Sequence, residues 1–181
     1  MRQPISPPSG TPDVERAFAV RRARTCDVRS IARLVAGYAE DRILLHKETV
    51  TYYEDVQEFL VATDGDGAVI GCGALHVLWE DLAEIRTLAV DPAWHGHGIG
   101  HALLTELIEV ACRVGVSRLF CLTFEVDFFT AHGFRVIEGT PVAPEVYAEL
   151  LRSDDEGVAE FLDLARVKPN TLGNSRMLLE F

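Results

Sequence analysis

The chain has no apolar run approaching the roughly 20 residues that a membrane-spanning helix requires. Its longest apolar stretches are short and broken by charge, so no transmembrane segment is expected. No secretory leader is expected either: Met1 to Ala17 lacks an apolar centre and carries Pro4, Pro7, Pro8 and Pro12. Basic residues are scarce, 17 against 28 acidic, for a formal charge of −11. Such a chain repels phosphate backbones and anionic bilayers at long range, which argues against nucleic acid or membrane as partner. An anionic ligand must then be held locally, by oriented backbone N–H groups or a few placed cations. Cysteine is sparse, and Cys26, Cys72, Cys112 and Cys121 show no C-x-x-C spacing. Each sits in an apolar run and is expected to be a small buried hydrophobe in a reducing cytoplasm, rather than a metal ligand or half of a disulfide.

What is present is enough apolar material for a core: 181 residues, 48% hydrophobic and 25% charged, suit one domain. No repeat or second core is visible. Residues 1–16 read as a mobile Pro-rich tail and residues 17–181 as the domain. Phe18 to Ala23 reads as a strand, and Val28, Ile31, Ala32 and Val35 place an amphipathic helix over Asp27 to Glu40. Val50, Tyr53 and Val56 suggest a second helix. Phe59–Thr63 and a strand from Ala68 to about Trp79 flank two Asp-Gly pairs, a hairpin signal. Leu82 to Val90 is a strand stopped by Asp91-Pro92. A helix with Leu103, Leu104, Leu107, Ile108 and Ala111 follows, capped by Gly115. Arg118–Thr123 is a strand, Asp127–His132 a short helix, Phe134–Ile137 a strand, Pro144–Arg152 a helix and Arg176–Phe181 a last strand. Hairpins first, then strands alternating with helices, predict a mixed α/β sheet.

The most informative segment is His95-Gly96-His97-Gly98-Ile99-Gly100-His101, between a predicted strand and an apolar helix. Its three glycines allow positive φ and close backbone approach, and the free N–H groups of the helix start favour an anion. The P-loop does not fit, because no lysine or hydroxyl residue follows Gly100. The dinucleotide fingerprint fits poorly, because the spacing is G-x-G-x-G and the strand arrives late in the chain. A tight turn without a ligand is the bland alternative. His95, His97 and His101 invite a metal reading, but no Asp, Glu or Cys nearby completes a set, and no metal is expected.

Leu88-Ala89-Val90-Asp91-Pro92, His95-x-x-Gly98-x-Gly100 and Phe128-Phe129-x-x-x-Gly133-Phe134 together resemble the GNAT (GCN5-related N-acetyltransferase) superfamily, over roughly Ala17 to Phe181. The resemblance implies a mixed sheet splayed between its fourth and fifth strands. An acyl-CoA arm would lie in the opening, with its pyrophosphate on the glycine turn. Leu44-Leu45-x-Lys47, Tyr53-Glu54-x-Val56-x-Glu58-Phe59-Leu60-Val61, Gly71-Cys72-Gly73-Ala74-Leu75, Glu84-Ile85-Arg86-Thr87-Leu88-Ala89-Val90 and Asn174-Ser175-Arg176 look more specifically like amino-acid N-acetyltransferases. Within these they resemble the short, kinase-domain-free N-acetylglutamate synthases of arginine biosynthesis. The reaction so implied is acetyl transfer from acetyl-CoA to the α-amine of glutamate, or a close analogue such as glutamine, by direct attack in a ternary complex. The alternatives are another amine, such as a peptide N-terminus or small metabolite, or a non-catalytic acyl-CoA sensor. A homodimer is expected from the resemblance and from the apolar last strand.

On this reading Leu88, Ala89, Val90, His95, Gly96, His97, Gly98, Ile99, Gly100, His101, Thr123 and Phe129 contact the co-substrate. The family's usual Arg or Gln is His95 here, an exchange that a main-chain grip should tolerate. Phe129 replaces the Tyr that many members use to protonate the leaving thiolate; a thiol pKa of about 8.5 makes that loss bearable. An ammonium must lose a proton before it attacks, so the base matters more. Glu84 is the first candidate, sharing a strand face with Arg86 and Leu88, against a solvated carboxylate or an ion pair with Arg86. Glu125 is the runner-up. The Leu88 N–H is placed to stabilise the oxyanion. Lys47, Arg86 and Arg176, with Asn174 and Ser175, are the candidates for holding the substrate's carboxylates. Tyr52, Tyr53, Trp79 and Trp94 read as core or pocket wall.

Overall fold

In the computed structural model, residues 18–40, 44, 47–167 and 172–181 are described; the Pro-rich tail and Leu45 lie outside them. The strands β1 (Phe18–Arg22), β2 (Phe59–Asp64), β3 (Val69–Trp79), β4 (Leu82–Val90), β5 (Arg118–Thr123), β6 (Arg135–Val136) and β7 (Ser175–Glu180) follow the apolar runs of the sequence closely. The helices are α1 (Val28–Glu40), α2 (Thr49–Glu54), α3 (Ile99–Val114), α4 (Val126–Thr130), α5 (Pro144–Leu150) and α6 (Glu156–Phe161). The sheet order is β1-β2-β3-β4-β5-β7-β6, antiparallel throughout except for β4 beside β5.

Three apolar clusters hold it. Helix α3 lays Ile99, Leu103, Leu104 and Leu107 on one face of the sheet, against Ile70, Leu75, Ala83, Ile85, Leu119 and Cys121. On the other face Val28, Ile31 and Val35 of α1 cover Phe59, Val61, Cys72, Ala74 and Ala89. Farther along that face Leu150, Val158 and Phe161 cover Leu82, Phe120 and Leu178. Burying each such side chain contributes about 1.5–3 kcal/mol, so α3 is anchored by its stripe rather than by propensity. Gly115, at φ 101, ends it as the sequence predicts.

The fold adds to the sequence expectation at α6 and β7 and differs from it at two cysteines. Helix α6 was not expected; it is six residues long, too short to show a period. Strand β7 enters between β5 and β6, where Met177 and Leu178 are paired on both sides. Cys26 and Cys112 are exposed, and only Cys72 and Cys121 are buried.

Candidate functional site

Strands β4 and β5 pair only at Leu82–Arg118, Ala83–Leu119 and Glu84–Phe120. Beyond Glu84 they part, and a cleft of about 600 Å³ opens between β4, the end of β5, the glycine turn and α4. The β4 edge facing β5 is there left without a strand partner. Within the same stretch, Ala74 opposes Arg86 and Cys72 opposes Ala89, so Gly73 faces both Thr87 and Leu88. This is a β-bulge, with Thr87 at φ 58, a strained region for a β-branched residue. Gly73 makes room for it: a Cβ there would lie 2.9 Å from Leu107 Cδ1 and 3.0 Å from Leu88 Cδ1.

The bulge reverses the alternation of β4. Glu84 and Arg86 stay on the face covered by α1 and α6, whereas Leu88 and Val90 turn to the α3 side. The expectation that Glu84, Arg86 and Leu88 share one face therefore fails for Leu88, because one extra residue in the strand shifts every later side chain to the opposite face.

At the cleft's other wall, Asp91 Oδ1 accepts from Ala93 N at 2.9 Å and starts the turn over Pro92–Trp94. Gly96 and Gly98 take φ 79 and 78, and Gly98 caps α3. A Cβ on Gly98 would meet no protein atom within 4 Å. Gly100, against the sequence expectation, lies inside the helix without a positive φ, and its Cβ would sit 3.5 Å from Phe128, an ordinary contact. Nε2 of His95 lies 3.0 Å from the Val90 carbonyl and 2.9 Å from the Tyr38 hydroxyl, which itself donates to Val90 O. His95 is thus a latch between the turn, β4 and α1, and it occupies a carbonyl that the sequence reading left open to the co-substrate. Tyr38 was missed; its one signal is its place three residues beyond Val35 on the apolar stripe of α1. His97 Nδ1 lies 3.2 and 3.0 Å from the Trp94 and His95 carbonyls, and His101 Nδ1 lies 2.8 Å from His132 Nε2. The three histidines thus turn to different partners. Trp94, Ile99 and Phe128 complete this wall.

The opposite face of β4 is charged and dry. Glu84 is 4% exposed and Arg86 9%. Arg86 Nη1 lies 3.1 Å from each oxygen of Asp155, and Asp155 Oδ1 also accepts from Val158 N at 2.8 Å, capping α6. The guanidinium fits there because residue 157 is glycine: a Cβ would stand 3.0 Å from Arg86 Cζ and Nη1. Arg86 Nη2 comes within 3.1 Å of Glu84 Oε2, an ion pair in distance but misdirected as a hydrogen bond. Glu84 Oε2 and Arg86 Nε and Nη2 are therefore buried without a hydrogen-bond partner. Burial lifts Glu84 above the ordinary carboxylate range, against the pull of Arg86 and His76. At Asp155 burial also pushes upward, but Arg86 and the Val158 N–H outweigh it and its pKa is lowered. His76 stands opposite Glu84 across the β3–β4 ladder, with Nδ1 2.8 Å from Glu58 Oε1. Lys47 is paired with Asp55 at 3.3 Å, yet its charge still acts on Glu84.

The remaining expected residues divide. Thr123 is buried, and its Oγ1 accepts from Glu125 N at 2.9 Å; the Glu125 side chain is exposed on the cleft wall. Phe129 is buried in the cleft wall, edge-on to Phe128 and Phe134. Ser175 pairs with Thr123, and Asn174 Oδ1 is buried without a partner. Arg176 lies over the Phe120 ring at 4.9 Å, and each of its nitrogens already donates to a carbonyl, of Gly139, Glu160 or Phe161. It clasps the fold, so Arg86 rather than Arg176 is the arginine with open donors. Asp155 and Gly157 had no signal in the sequence, because they meet Arg86 only through the packing of α6.

Residues 27–134 match the acetyltransferase (GNAT) family. The chain belongs to that family. Its sheet, parting between β4 and β5 beside the glycine turn, is the GNAT fold. The chain is 64% identical over 162 residues to the amino-acid acetyltransferase of Mycobacterium tuberculosis, covering 88% of this chain and 92% of that one. The structure of the M. tuberculosis protein Rv2747, solved in complex with CoA, superimposes with a TM-score of 0.88 at 62% identity, over 90% of this chain and 99% of that one. The N-acetylglutamate synthase of Neisseria gonorrhoeae, complexed with coenzyme A and N-acetyl-glutamate, superimposes with a TM-score of 0.71 at 25% identity. That match covers 90% of this chain but only 35% of the gonococcal protein.

Proposed function

We propose that this GNAT protein transfers acetyl from acetyl-CoA to the α-amine of L-glutamate or a close analogue such as glutamine, the first step of arginine biosynthesis. The observation that carries the reading is Arg86: a buried guanidinium on the cleft wall with two donors open, beside a buried carboxylate whose pKa is raised. Leaving such donors unmet costs about 1–3 kcal/mol, which a bound carboxylate would recover through a planar, bidentate fork. Lys47, Asn174 and Ser175 would be secondary contacts in this proposal, whereas Arg176, whose nitrogens are taken by the carbonyls of Gly139, Glu160 and Phe161, would act only through its charge. The M. tuberculosis amino-acid acetyltransferase and the N-acetyl-glutamate complex of the gonococcal enzyme support the substrate class. The domain would be residues 17–181, preceded by a tail over residues 1–16, acting in the cytoplasm as a homodimer.

The pyrophosphate of acetyl-CoA would lie on the N–H groups of the turn from His95 to His101, and the pantetheine arm along the open edge of β4 at Leu88–Val90. Glu84 takes a proton from the substrate ammonium, directly or through water, and the free amine attacks the thioester carbon. The C–N bond forms and the C–S bond breaks. The ammonium gives up two protons in all: Glu84 passes the first to solvent, and the second, lost from nitrogen as the tetrahedral intermediate collapses, ends on the thiolate once it has left. The Leu88 N–H would receive the developing oxyanion, where a single donor is worth roughly 10²–10³ in rate. Initial rates with acetyl-CoA over the twenty amino acids test the reading: glutamate or glutamine should stand well above the rest, and turnover of none of them would end it.

Two further outcomes are expected. Gly98→Val should raise KM for acetyl-CoA by roughly tenfold or more, because a β-branched residue resists φ near 78 and its methyls enter the space the ligand needs. Gly100→Val should do less, since its Cβ has room beside Phe128. KM measurements on the two variants decide this. Phe129→Tyr should leave kcat within about twofold, because a thiolate with a pKa of about 8.5 leaves without an acid. A large gain in kcat would show that protonation of sulfur limits the native enzyme.

A further inference from the structure

From the pairing of His101 with His132 at the start of α3, we infer that the anion cradle carries a titratable charge: the two rings share one proton, taken up when the pyrophosphate of the co-substrate binds. The inference rests on the reading of the turn as an acetyl-CoA site and adds to it a residue outside the glycine motif.

His101 is the first side chain after the glycines and is exposed on the cleft wall. Its Nδ1 lies 2.8 Å from Nε2 of His132, and the rings stack at 5.0 Å between centroids and 25° between planes. Phe128 holds both, at 4.8 Å from His101 and 5.4 Å from His132. In an imidazole–imidazole hydrogen bond one nitrogen donates and the other must accept, so the bonded pair holds one extra proton at most. Without a ligand, burial and His101 keep the pKa of His132 below its ordinary value, which favours the uncharged pair. A bound diphosphate supplies the missing counter-charge and favours the cation.

No fixed charge competes for this role among the described residues. On α4, Glu125 and Asp127 make no ion pair or side-chain hydrogen bond to either ring, and Arg135 beyond it is paired with Glu180. On the glycine turn, His95 and His97 are engaged with the carbonyls of Val90, Trp94 and His95. In a chain of charge −11 with no lysine in the cradle, the pair supplies a cation at the anion's side, and only when an anion is there.

Calorimetric titration with dephospho-CoA isolates the effect, because that ligand keeps the pyrophosphate and lacks the 3′-phosphate, whose own ionisation falls near neutrality. Run at pH 7 in buffers of different ionisation enthalpy, the native protein should take up a substantial fraction of one proton per ligand. Its affinity should fall roughly three- to tenfold between pH 6 and pH 8. His132→Phe and His101→Gln should each diminish the uptake, and the double variant should abolish it and flatten the pH dependence. His101→Arg, with a fixed charge, should bind as the native protein does at pH 6 and keep that affinity at pH 8. Binding without proton uptake, or unchanged uptake in His101→Gln, overturns the inference while leaving the acetyltransferase reading intact. Failure of the native protein to bind either dephospho-CoA or CoA would instead remove the co-substrate site itself.

Discussion

Glu84→Gln is expected to lower kcat by roughly 10²–10⁴ while leaving KM for acetyl-CoA unchanged. The amide keeps the shape of the side chain but cannot accept the proton of the substrate ammonium. Because burial raises the pKa of Glu84, the native enzyme should lose activity on acidification at a pH above the ordinary carboxylate range. The working species is the carboxylate, present above that pKa and lost as pH falls through it. In Glu84→Gln this limb should vanish, and the deficit should shrink as pH rises, since more of the amine is then already neutral. Arg86 remains held by Asp155 at 3.1 Å in the variant, so substrate binding should survive the loss of Glu84. Rate-against-pH curves of the two proteins are the measurement. An unaltered rate and curve would pass the role of base to Glu125 or to an ordered water.

Arg86→Lys should raise KM for glutamate by roughly 30- to 10³-fold and leave KM for acetyl-CoA alone, if the planar fork holds a carboxylate worth about 2–4 kcal/mol. The lysine keeps the charge between Glu84 and Asp155, which limits any loss of folding. Gly157→Ala should push the same way without touching the arginine: its Cβ would stand 3.0 Å from Arg86 Cζ and Nη1 and from Asp155 Oδ1, so the guanidinium must shift. An amine substrate without a carboxylate should respond weakly to either change. Equal losses for glutamate and such an amine would remove the amino-acid pocket and leave a general acetyltransferase. Lys47→Ala should have a smaller effect than Arg86→Lys, because Lys47 already spends its charge on Asp55.

These expectations depend unequally on the sequence. The strand ending at Val90, the stop at Asp91-Pro92, the glycine turn and the helix to Gly115 were all legible, because each is set by neighbours a few residues away: a side-chain period, a positive φ, a cap. Glu84 and Arg86 were legible as candidates on the same grounds, and the likeness to acetyltransferases gave the turn its expected ligand. The contacts of His95 with Tyr38 and Val90 were not legible, because the three become neighbours only after α1 docks on the sheet.

Charge, composition and local periodicity were enough to predict the mixed α/β sheet that the structure has. They could not establish which face Leu88 turns to, since the bulge at Thr87 arises from pairing with Gly73 on another strand. Nor could they show that Arg86 would be gripped by Asp155, 69 residues away, through a gap that Gly157 leaves open. The last strand likewise had an obvious apolar pattern and no visible destination; its place between β5 and β6 depends on long-range register. Periodicity is a property of consecutive residues, whereas the burial of a charge, the parting of two strands and the direction of a guanidinium's free donors depend on what distant segments bring against them.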